Sequence, residues 1–211
     1  MPSEPMMVDY PDYDRREVLP FLPTDAHRIL DVGCASGGFG GHLRDREAFG
    51  LEPNVRAAAL ARSQYHDVFV GTFPDAVPVG EKFDCIVFND VLEHLVDPYL
   101  AVRDTARYLK PGGSVLASIP NMRYMRVIRR LVINADWTYD PNGGVLDATH
   151  LRWFTHKTMR GLFEDNGFIV EMMAAINVDT GWKARLLSLL PTFADMPARQ
   201  FVIVARLPLP N

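Results

Sequence analysis

The stretch from Ile29 to Leu43 reads ILDVGCASGGFGGHL and decides the fold. Its first residues are apolar apart from one acid, Asp31, which is typical of a strand buried on both faces. Closely spaced glycines follow, and they let the backbone turn sharply and approach a ligand. We expect the strand to end at this loop and a helix to begin after it. Unpaired N–H groups at the start of that helix would face a nucleotide-like ligand.

Short apolar runs recur along the chain, and segments of helical character separate the earlier ones. The runs are 28–33, 48–53, 67–71, 83–90, 114–121, 168–176 and 199–207. This alternation predicts an α/β fold, a doubly wound and mostly parallel sheet with helices on both faces. A closing hairpin of the last two runs is the simplest account of them, and it makes one edge of the sheet antiparallel.

Two helices are marked by start and stop signals. Asp97 and Pro98 form an N-cap followed by proline at the first helical position, and apolar residues then recur at helical spacing, at Tyr99, Val102, Ala106 and Leu109. The KPGG sequence at 110–113 is expected to stop this helix. A second helix is expected over 156–167, with Gly167 at its end.

A chain of 211 residues is expected to form a single domain, 1–211. Three segments depart from the strand and helix alternation: an N-terminal lid at 1–24 and two insertions, 121–155 and 177–197, near the substrate site. The second insertion contains a short amphipathic helix. The first has an apolar helix face and a basic one, the latter formed by Arg123, Arg126, Arg129 and Arg130. This basic face is either solvated or attracts an acidic substrate or an anionic membrane surface.

Composition excludes several classes of partner. A net charge of -4 disfavours sequence-independent binding of nucleic acid. The two cysteines, Cys34 and Cys85, lack disulfide or zinc spacing and are expected to be free thiols. No signal peptide and no transmembrane segment is expected, which predicts a cytoplasmic protein. The histidines show no H-E-x-x-H or Cys/His spacing, so no structural zinc is expected. The FND sequence at 88–90 could hold magnesium, but it lacks a second acid cluster, so no metal is expected. A monomer and a homodimer both remain open.

The acids at the ends of the first two strands indicate the charge of the ligand. Glu52 ends the second strand, where a carboxylate can accept both hydrogen bonds of a ribose diol. Asp31 lies two residues before Gly33, and a carboxylate there repels a pyrophosphate but attracts an ammonium group. Ala35 also replaces a glycine that a dinucleotide loop needs. A nucleoside with a positive charge therefore fits better than a dinucleotide.

These residues resemble the class I S-adenosylmethionine-dependent methyltransferases over roughly residues 25 to 176. The resemblance is carried by LDVGCASG (30–37), GLEP (50–53), FDCIVFNDVLEHLVDP (83–98) and LKPGGSVLASIPN (109–121). The stretch DATHLRWFTHKTMRGLFEDNGF (147–168) further resembles a bacterial branch of small methyltransferases that modify surface sugars or small metabolites. The resemblance implies a seven-stranded Rossmann-like sheet with an antiparallel last strand, and S-adenosyl-L-methionine as cofactor.

The resemblance also implies roles for residues at matching positions. Glu52 would bind the ribose, and Asn89 would offer its backbone carbonyl to the amino group of the cofactor. Thr72 takes the place of an acid that often contacts the adenine, with Phe73 as an apolar contact. The methionine part of the cofactor would be surrounded by Asp31, Gly33, Ala35 and Gly37.

Candidates for the chemistry follow the fourth strand and lie in the first insertion. His94 and His150 are candidate general bases, because histidine titrates near neutrality. Arg152 is a candidate anion clamp, and Tyr13 in the N-terminal lid is a candidate substrate contact. The structural alternatives are that His94 orders its turn and that His150 and Arg152 hold the first insertion, 121–155, in place as a lid.

The leading functional hypothesis is methylation of a small molecule, at an oxygen of a sugar or another small metabolite. Positioning contributes more to such a transfer than a general base does, so a base is optional. The alternative is a non-catalytic protein that binds S-adenosylmethionine and regulates, to which Ala35 and Thr72 point. A short-chain oxidoreductase is disfavoured, because no tyrosine has a lysine four residues after it.

Overall fold

The computed structural model describes residues 14–209, and its centre is one seven-stranded sheet. The strands are β1 (Arg28–Val32), β2 (Glu47–Glu52), β3 (Asp67–Val70), β4 (Phe83–Asn89), β5 (Leu109–Pro120), β6 (Ile169–Val178) and β7 (Ala198–Arg206). The α-helices within the described range are α1 (Val55–Ala61), α2 (Pro98–Thr105), α3 (Met125–Ile133), α4 (His156–Glu164) and α5 (Trp182–Ser188). Each of the seven predicted strands is therefore confirmed.

The strand order is β3-β2-β1-β4-β5-β7-β6. Strands β1 to β5 pair in parallel, whereas β7 runs antiparallel to both β5 and β6. The predicted closing hairpin is confirmed by the pairing of β6 with β7. The order reverses between β1 and β4, and in sheets of this kind ligands bind beyond the carboxyl ends of the strands at that point.

Apolar side chains cover both faces of the sheet. Leu30 and Phe88 belong to a core that includes side chains of α2 and α4. Their neighbours Ile29 and Val87 point to the other face, into a core that includes side chains of α1. All four residues are fully buried. Successive strand residues point to opposite faces, so this double burial explains why the strands read as unbroken apolar runs.

The prediction of a helix directly after the first glycine loop is wrong. Between β1 and β2 the chain forms only a short 3₁₀ turn, Gly40–His42. Glycine is among the poorest helix formers, and four of the residues at 37–41 are glycine. The Tyr65 ring also lies against Gly40, in the space that a Cβ atom there would need. The glycines therefore make room for a buried tyrosine.

The helix expected to reach 110–113 is shorter than predicted. Helix α2 ends at Thr105, whereas Leu109 and the KPGG sequence lie in β5. Leu109 is opposite Phe83 in the sheet, and the Phe83 N–H donates to the Tyr108 carbonyl at 2.8 Å. Leu109 therefore pairs with β4 instead of continuing the helix, and its side chain is buried in the sheet core.

The insertions contain the expected short helices, α3 in 121–155 and α5 in 177–197. The helix expected over 156–167 is α4, and Gly167 beyond its end is left-handed with φ +84°. Cys34 and Cys85 are buried free thiols, as expected. No helix within 14–209 is long and apolar enough to cross a membrane. Tyr13 and most of the 1–24 segment lie outside the described residues.

Candidate functional site

The carboxyl ends of β1, β2 and β4 meet at the glycine loop. Gly33 and Gly37 are left-handed, with φ +74° and +97°. A Cβ atom on Gly33 would lie 2.7 Å from Cγ2 of Val91, and one on Gly37 would lie 3.0 Å from Cα of Ala61. Both glycines are therefore required by conformation and by close packing, Gly33 against the turn after β4 and Gly37 against the end of α1.

Ala35 is left-handed as well, with φ +46°. Its N–H donates to Oε2 of Glu52 at 3.0 Å, so the backbone conformation serves the loop. A left-handed conformation costs a residue with a Cβ about 1–2 kcal/mol, and glycine escapes this cost. Ala35 therefore stores strain at the place where the family resemblance implies a glycine.

Replacing Ala35 with glycine should stabilise the chain. The relief of strain exceeds the extra entropy of glycine in the unfolded chain, which is about 0.4–1 kcal/mol, so the free energy of unfolding should rise by up to about 1 kcal/mol. Urea unfolding measures the change. Ala59→Gly in the exposed part of α1 is the matched control and should destabilise by about 1 kcal/mol. Equal losses in both variants would contradict the strain at Ala35.

Glu52 ends β2 with a carboxylate that is only 5% exposed. Its Oε1 accepts from the Asn54 N–H at 2.8 Å, and its Oε2 accepts from the Ala35 N–H. Burial raises the pKa of Glu52, and these two hydrogen bonds act in the opposite direction. Each carboxylate oxygen can accept a second hydrogen bond, so the group is able to take a ribose diol without releasing the loop.

Asp31 in β1 is 2% exposed and is held by a single hydrogen bond within the described residues. The Tyr65 hydroxyl donates to its Oδ2, while its Oδ1 is buried without a partner there. Burial raises the pKa of Asp31 to about 7, which the Tyr65 hydrogen bond opposes and the nearby Glu52 carboxylate reinforces. A buried carboxyl with an unused acceptor fits an ammonium group in the ligand.

Asn89 ends β4, and both polar atoms of its side chain are buried without a partner in the described part of the chain. Unpaired buried amides are uncommon and call for an explanation. The position adjoins the switch point of the sheet, where a bound cofactor would supply donors and acceptors. Unsatisfied groups on Asp31 and Asn89 together fit a polar ligand at this edge.

Asp90 follows Asn89 and forms a polar network that the sequence analysis missed. It is left-handed, with φ +54°, and accepts from Arg15, Ser118 and Gln200. Arg15 contacts Asp90 at 2.9 Å, with 11% of its side chain exposed. The network joins the N-terminal segment to the carboxyl ends of β4 and β5, beside the cofactor residues.

Thr72 and Phe73 follow β3, on the far side of Glu52. Thr72 is exposed and able to contact a ligand. The half-buried Phe73 ring packs edge-on against Phe88 and Tyr108, with centroids 5.6 and 5.8 Å away. Phe73 is thus partly committed to the core, and only its remaining surface is open to an adenine ring.

The structure brings His94 and His150 together, with ring centroids 4.7 Å apart. His94 lies in the turn after β4, and His150 belongs to the first insertion. The backbone N–H groups of Leu151 and Arg152 donate to the Glu93 carbonyl at 2.8 and 3.0 Å, which joins the insertion to this turn. Burial and the neighbouring His94 lower the pKa of His150. Sequence reasoning missed Glu93.

The Arg152 guanidinium donates hydrogen bonds to the backbone carbonyls of Leu151 and Val96. These contacts favour the structural alternative for Arg152, which is to hold the first insertion in place. The basic face of the first insertion is also largely paired within the protein. Its ion pairs are Arg123 with Asp195, Arg126 with Asp179, and Arg130 with Asp136. These contacts favour a surface role for this face over attraction of an acidic substrate.

A mixed seven-stranded sheet of this order, with glycines and an acid at the end of its first strand and an acid at the end of its second, has the architecture of the class I S-adenosylmethionine-dependent methyltransferases. The chain belongs to the methyltransferase-domain family, whose model matches residues 10–171. The fold, enzyme class and cofactor expected from the sequence are those of this family.

Similar proteins include a ubiquinone biosynthesis O-methyltransferase of Methylobacterium nodulans, 30% identical over 159 residues, which covers 71% of this chain and 62% of the relative. One of the same name from Alkalilimnicola ehrlichii is 34% identical over 106 residues, 46% of this chain and 43% of the relative. The chain thus spans less than two thirds of these relatives.

Solved structures of similar fold include an S-adenosylmethionine-dependent methyltransferase of Thermotoga maritima, described as a possible histamine N-methyltransferase. It has a TM-score of 0.65 and 20% identity, covering 90% of this chain and 86% of its own. A methyltransferase of Mesorhizobium loti has a TM-score of 0.61 and 20% identity, covering 90% and 95%. Identities this low show the fold alone.

Proposed function

We propose that the chain transfers a methyl group from S-adenosyl-L-methionine to an oxygen of a small-molecule acceptor, such as a sugar or another small metabolite. The observation that carries the proposal is the set of buried polar atoms at the ends of β1, β2 and β4. Asp31 and Asn89 leave such atoms unpaired among the described residues, and Glu52 has free acceptor sites.

When bound, the cofactor supplies a methyl group activated by a sulfonium. Asp31 would accept from the ammonium group at the methionine end, and Glu52 would accept from the ribose in the middle of the cofactor. Gly33, Ala35 and Gly37 bring the loop backbone close to the methionine part. Asn89 takes the amino group on its carbonyl, and Thr72 and Phe73 face the adenine. These residues together would hold the methionine part, the ribose and the adenine of the donor.

The acceptor is proposed to lie against His94 and His150. Their Nδ1 atoms are engaged by backbone carbonyls at 3.3 and 3.1 Å, so their Nε2 atoms are left for a ligand. The first insertion closes over this place through its hydrogen bonds to Glu93. Arg152 fixes the closed segment, and Tyr13 contributes from the N-terminal segment. In-line positioning supplies most of the rate for such a transfer, by roughly 7–11 kcal/mol in favourable cases.

Oxygen is favoured as the methylated atom because the relatives at about 30% identity are named O-methyltransferases. The experiment is transfer from isotope-labelled S-adenosylmethionine to a panel of sugars and other hydroxyl compounds, each with its amine analogue, and with products located by mass spectrometry. The expected result is label on hydroxyl compounds only. Label on amines alone would refute the choice of oxygen.

The regulatory alternative has one supporting observation, the strained Ala35 in the cofactor loop. It predicts tight binding of S-adenosylhomocysteine with no transfer to any member of the panel. Binding and turnover measured on one preparation separate the two hypotheses.

A further inference from the structure

The Glu93 carboxyl is buried beside both histidines of the candidate acceptor site. It is 1% exposed, and neither of its oxygens has a hydrogen-bond partner within residues 14–209. The Nε2 atom of His150 lies 3.9 Å from Oε1, which is too long for a hydrogen bond. A buried carboxylate in such a place is normally paired or coordinates a metal ion.

Backbone carbonyls set the tautomer of both imidazoles. The Nδ1 atom of His150 is 3.1 Å from the Val145 carbonyl, and that of His94 is 3.3 Å from the Thr149 carbonyl. A carbonyl only accepts, so each Nδ1 carries the proton and each Nε2 presents a lone pair. Metal-binding histidines are held in this way by partners on their second nitrogen.

Thr149 and Asp147 form a hydrogen-bonded chain that ends at the Nδ1 atom of His94. The Thr149 hydroxyl donates to Oδ1 of Asp147 at 2.6 Å, and it lies 3.1 Å from the Nδ1 atom of His94. Because its proton goes to Asp147, the hydroxyl oxygen accepts from the same Nδ1–H. Both hydrogen bonds therefore require His94 in the tautomer that leaves Nε2 free.

One possible ligand atom from each of Glu93, His94 and His150, a carboxylate oxygen or a ring nitrogen, lies within 4.8 Å of the other two. Ligands around tetrahedral zinc, with bonds of ~2.0–2.1 Å, are separated by about 3.3 Å. Side-chain rotations would have to bring the atoms to that spacing; His94 is half-buried, and the Glu93 carboxyl has no hydrogen bond to break within the described residues.

We propose that Glu93, His94 and His150 form a binding site for one divalent transition-metal ion, with zinc preferred. Two imidazole nitrogens and one carboxylate suit zinc and its neighbours, whereas magnesium and calcium prefer oxygen ligands only. Three protein ligands leave a coordination position open, as in catalytic zinc sites. This site departs from the expectation of no metal, which rested on spacing along one segment.

The position of the site suits the ion to orienting the methyl acceptor, and this role rests on the proposed function. An ion in the turn after β4 would offer its open position to an acceptor oxygen and orient that oxygen towards the methyl donor. It would also couple the docking of the first insertion to metal binding, because His150 comes from that insertion and the Glu93 carbonyl accepts from two of its N–H groups.

The test is titration of the full, tag-free chain with Co²⁺ after chelator treatment, followed by displacement with Zn²⁺. The absorption of Co²⁺ reports nitrogen and oxygen ligands directly and needs no methyl transfer. We expect one ion per chain, bound at least about 100-fold more weakly in Glu93→Gln and His94→Ala, because loss of an outer partner alone costs 10–100-fold. Thr149→Val removes such a partner and should weaken binding about tenfold.

His27→Ala, which removes an exposed histidine outside the cluster, is the matched control and should bind Co²⁺ like the unsubstituted chain. His94 is half-buried and Thr149 is exposed, so these variants should remain folded, and circular dichroism checks each one. Equal affinity in all variants, or no uptake at millimolar Co²⁺, would overturn the site. Metal binding without methyl transfer would refute only the proposed function, and metal-independent transfer without Co²⁺ binding would refute only the site.

Discussion

Glu52→Ala should lower the affinity for S-adenosylhomocysteine by about 100-fold or more. The Glu52 carboxylate can accept two hydrogen bonds from a ribose diol, and a hydrogen bond to a charged group contributes about 1.5–3 kcal/mol. The same carboxylate holds the Ala35 and Asn54 N–H groups, so the loop also loses its anchor. Calorimetric titration measures the change, and circular dichroism shows whether the fold is kept.

Two further variants separate charge from shape at this position. Glu52→Gln keeps one acceptor oxygen and should lose affinity by about tenfold, between the unsubstituted chain and the alanine variant. Glu47→Gln, at the exposed start of the same strand, should bind like the unsubstituted chain. Unchanged affinity in Glu52→Ala would show that the acid at the end of β2 does not contact the nucleoside.

Asp31→Asn should have opposite effects on stability and on binding. The native pKa of Asp31 is raised from 3.8 to about 7, so the folded chain binds this proton more tightly than the unfolded chain does. Stability from this group is therefore complete below about pH 4 and is lost as the pH rises through 7. Near pH 8 the ionised, buried carboxylate destabilises the fold, and asparagine should raise the free energy of unfolding by about 1–3 kcal/mol.

Cofactor binding should respond in the other direction. An ammonium group favours ionised Asp31, so the affinity of the unsubstituted chain for S-adenosylhomocysteine should rise with pH up to about 7 and then level off. Asp31→Asn should remove most of this dependence and weaken binding by about 30-fold at pH 8, or ~2 kcal/mol.

The other titratable groups near Asp31 do not obscure its contribution to the pH dependence of stability and binding. Tyr65 and Cys34 have pKa values raised by burial, so they stay protonated across the range. Burial also raises the pKa of Glu52, but Asp31→Asn leaves that carboxyl in place, so the difference between the two chains reports Asp31. Unfolding and binding measured at pH 5 and pH 8 give both signs. Loss of stability at pH 8 in Asp31→Asn, or binding equal to that of the unsubstituted chain, would contradict the electrostatic role of Asp31.

Much of the sheet and the cofactor edge is readable from the sequence. Strands buried on both faces appear as apolar runs ended by turn residues, so the runs at 28–33 and 83–90 locate β1 and β4. Parallel strands bring their carboxyl ends to one edge, so strand ends alone predict that Asp31, Glu52 and Asn89 lie near one another.

What the sequence could not predict depends on partners distant along the chain. Gly40 belongs to a turn because Tyr65 fills the space beside it, and nothing in the local pattern reports that contact. Arg123 and Arg126 read as part of a free basic face, because their partners Asp195 and Asp179 lie in the second insertion.

The Glu93 side chain shows the same limit at the acceptor site. In the run LEHL it has the pattern of a solvated acid, and it is buried where the first insertion folds against the turn after β4. A ligand set divided between that turn and the first insertion produces no short metal-binding motif, so spacing along the sequence predicted none.

Calorimetric titration of the unsubstituted chain at pH 8 with S-adenosylhomocysteine, and separately with a nicotinamide dinucleotide, tests the central claim most directly. The claim is that the edge formed by β1 and β2 binds a nucleoside carrying an ammonium group and repels linked phosphates. The predicted result is saturable binding of S-adenosylhomocysteine, one per chain, and no heat from the dinucleotide. Binding of the dinucleotide with no response to millimolar S-adenosylhomocysteine would contradict it.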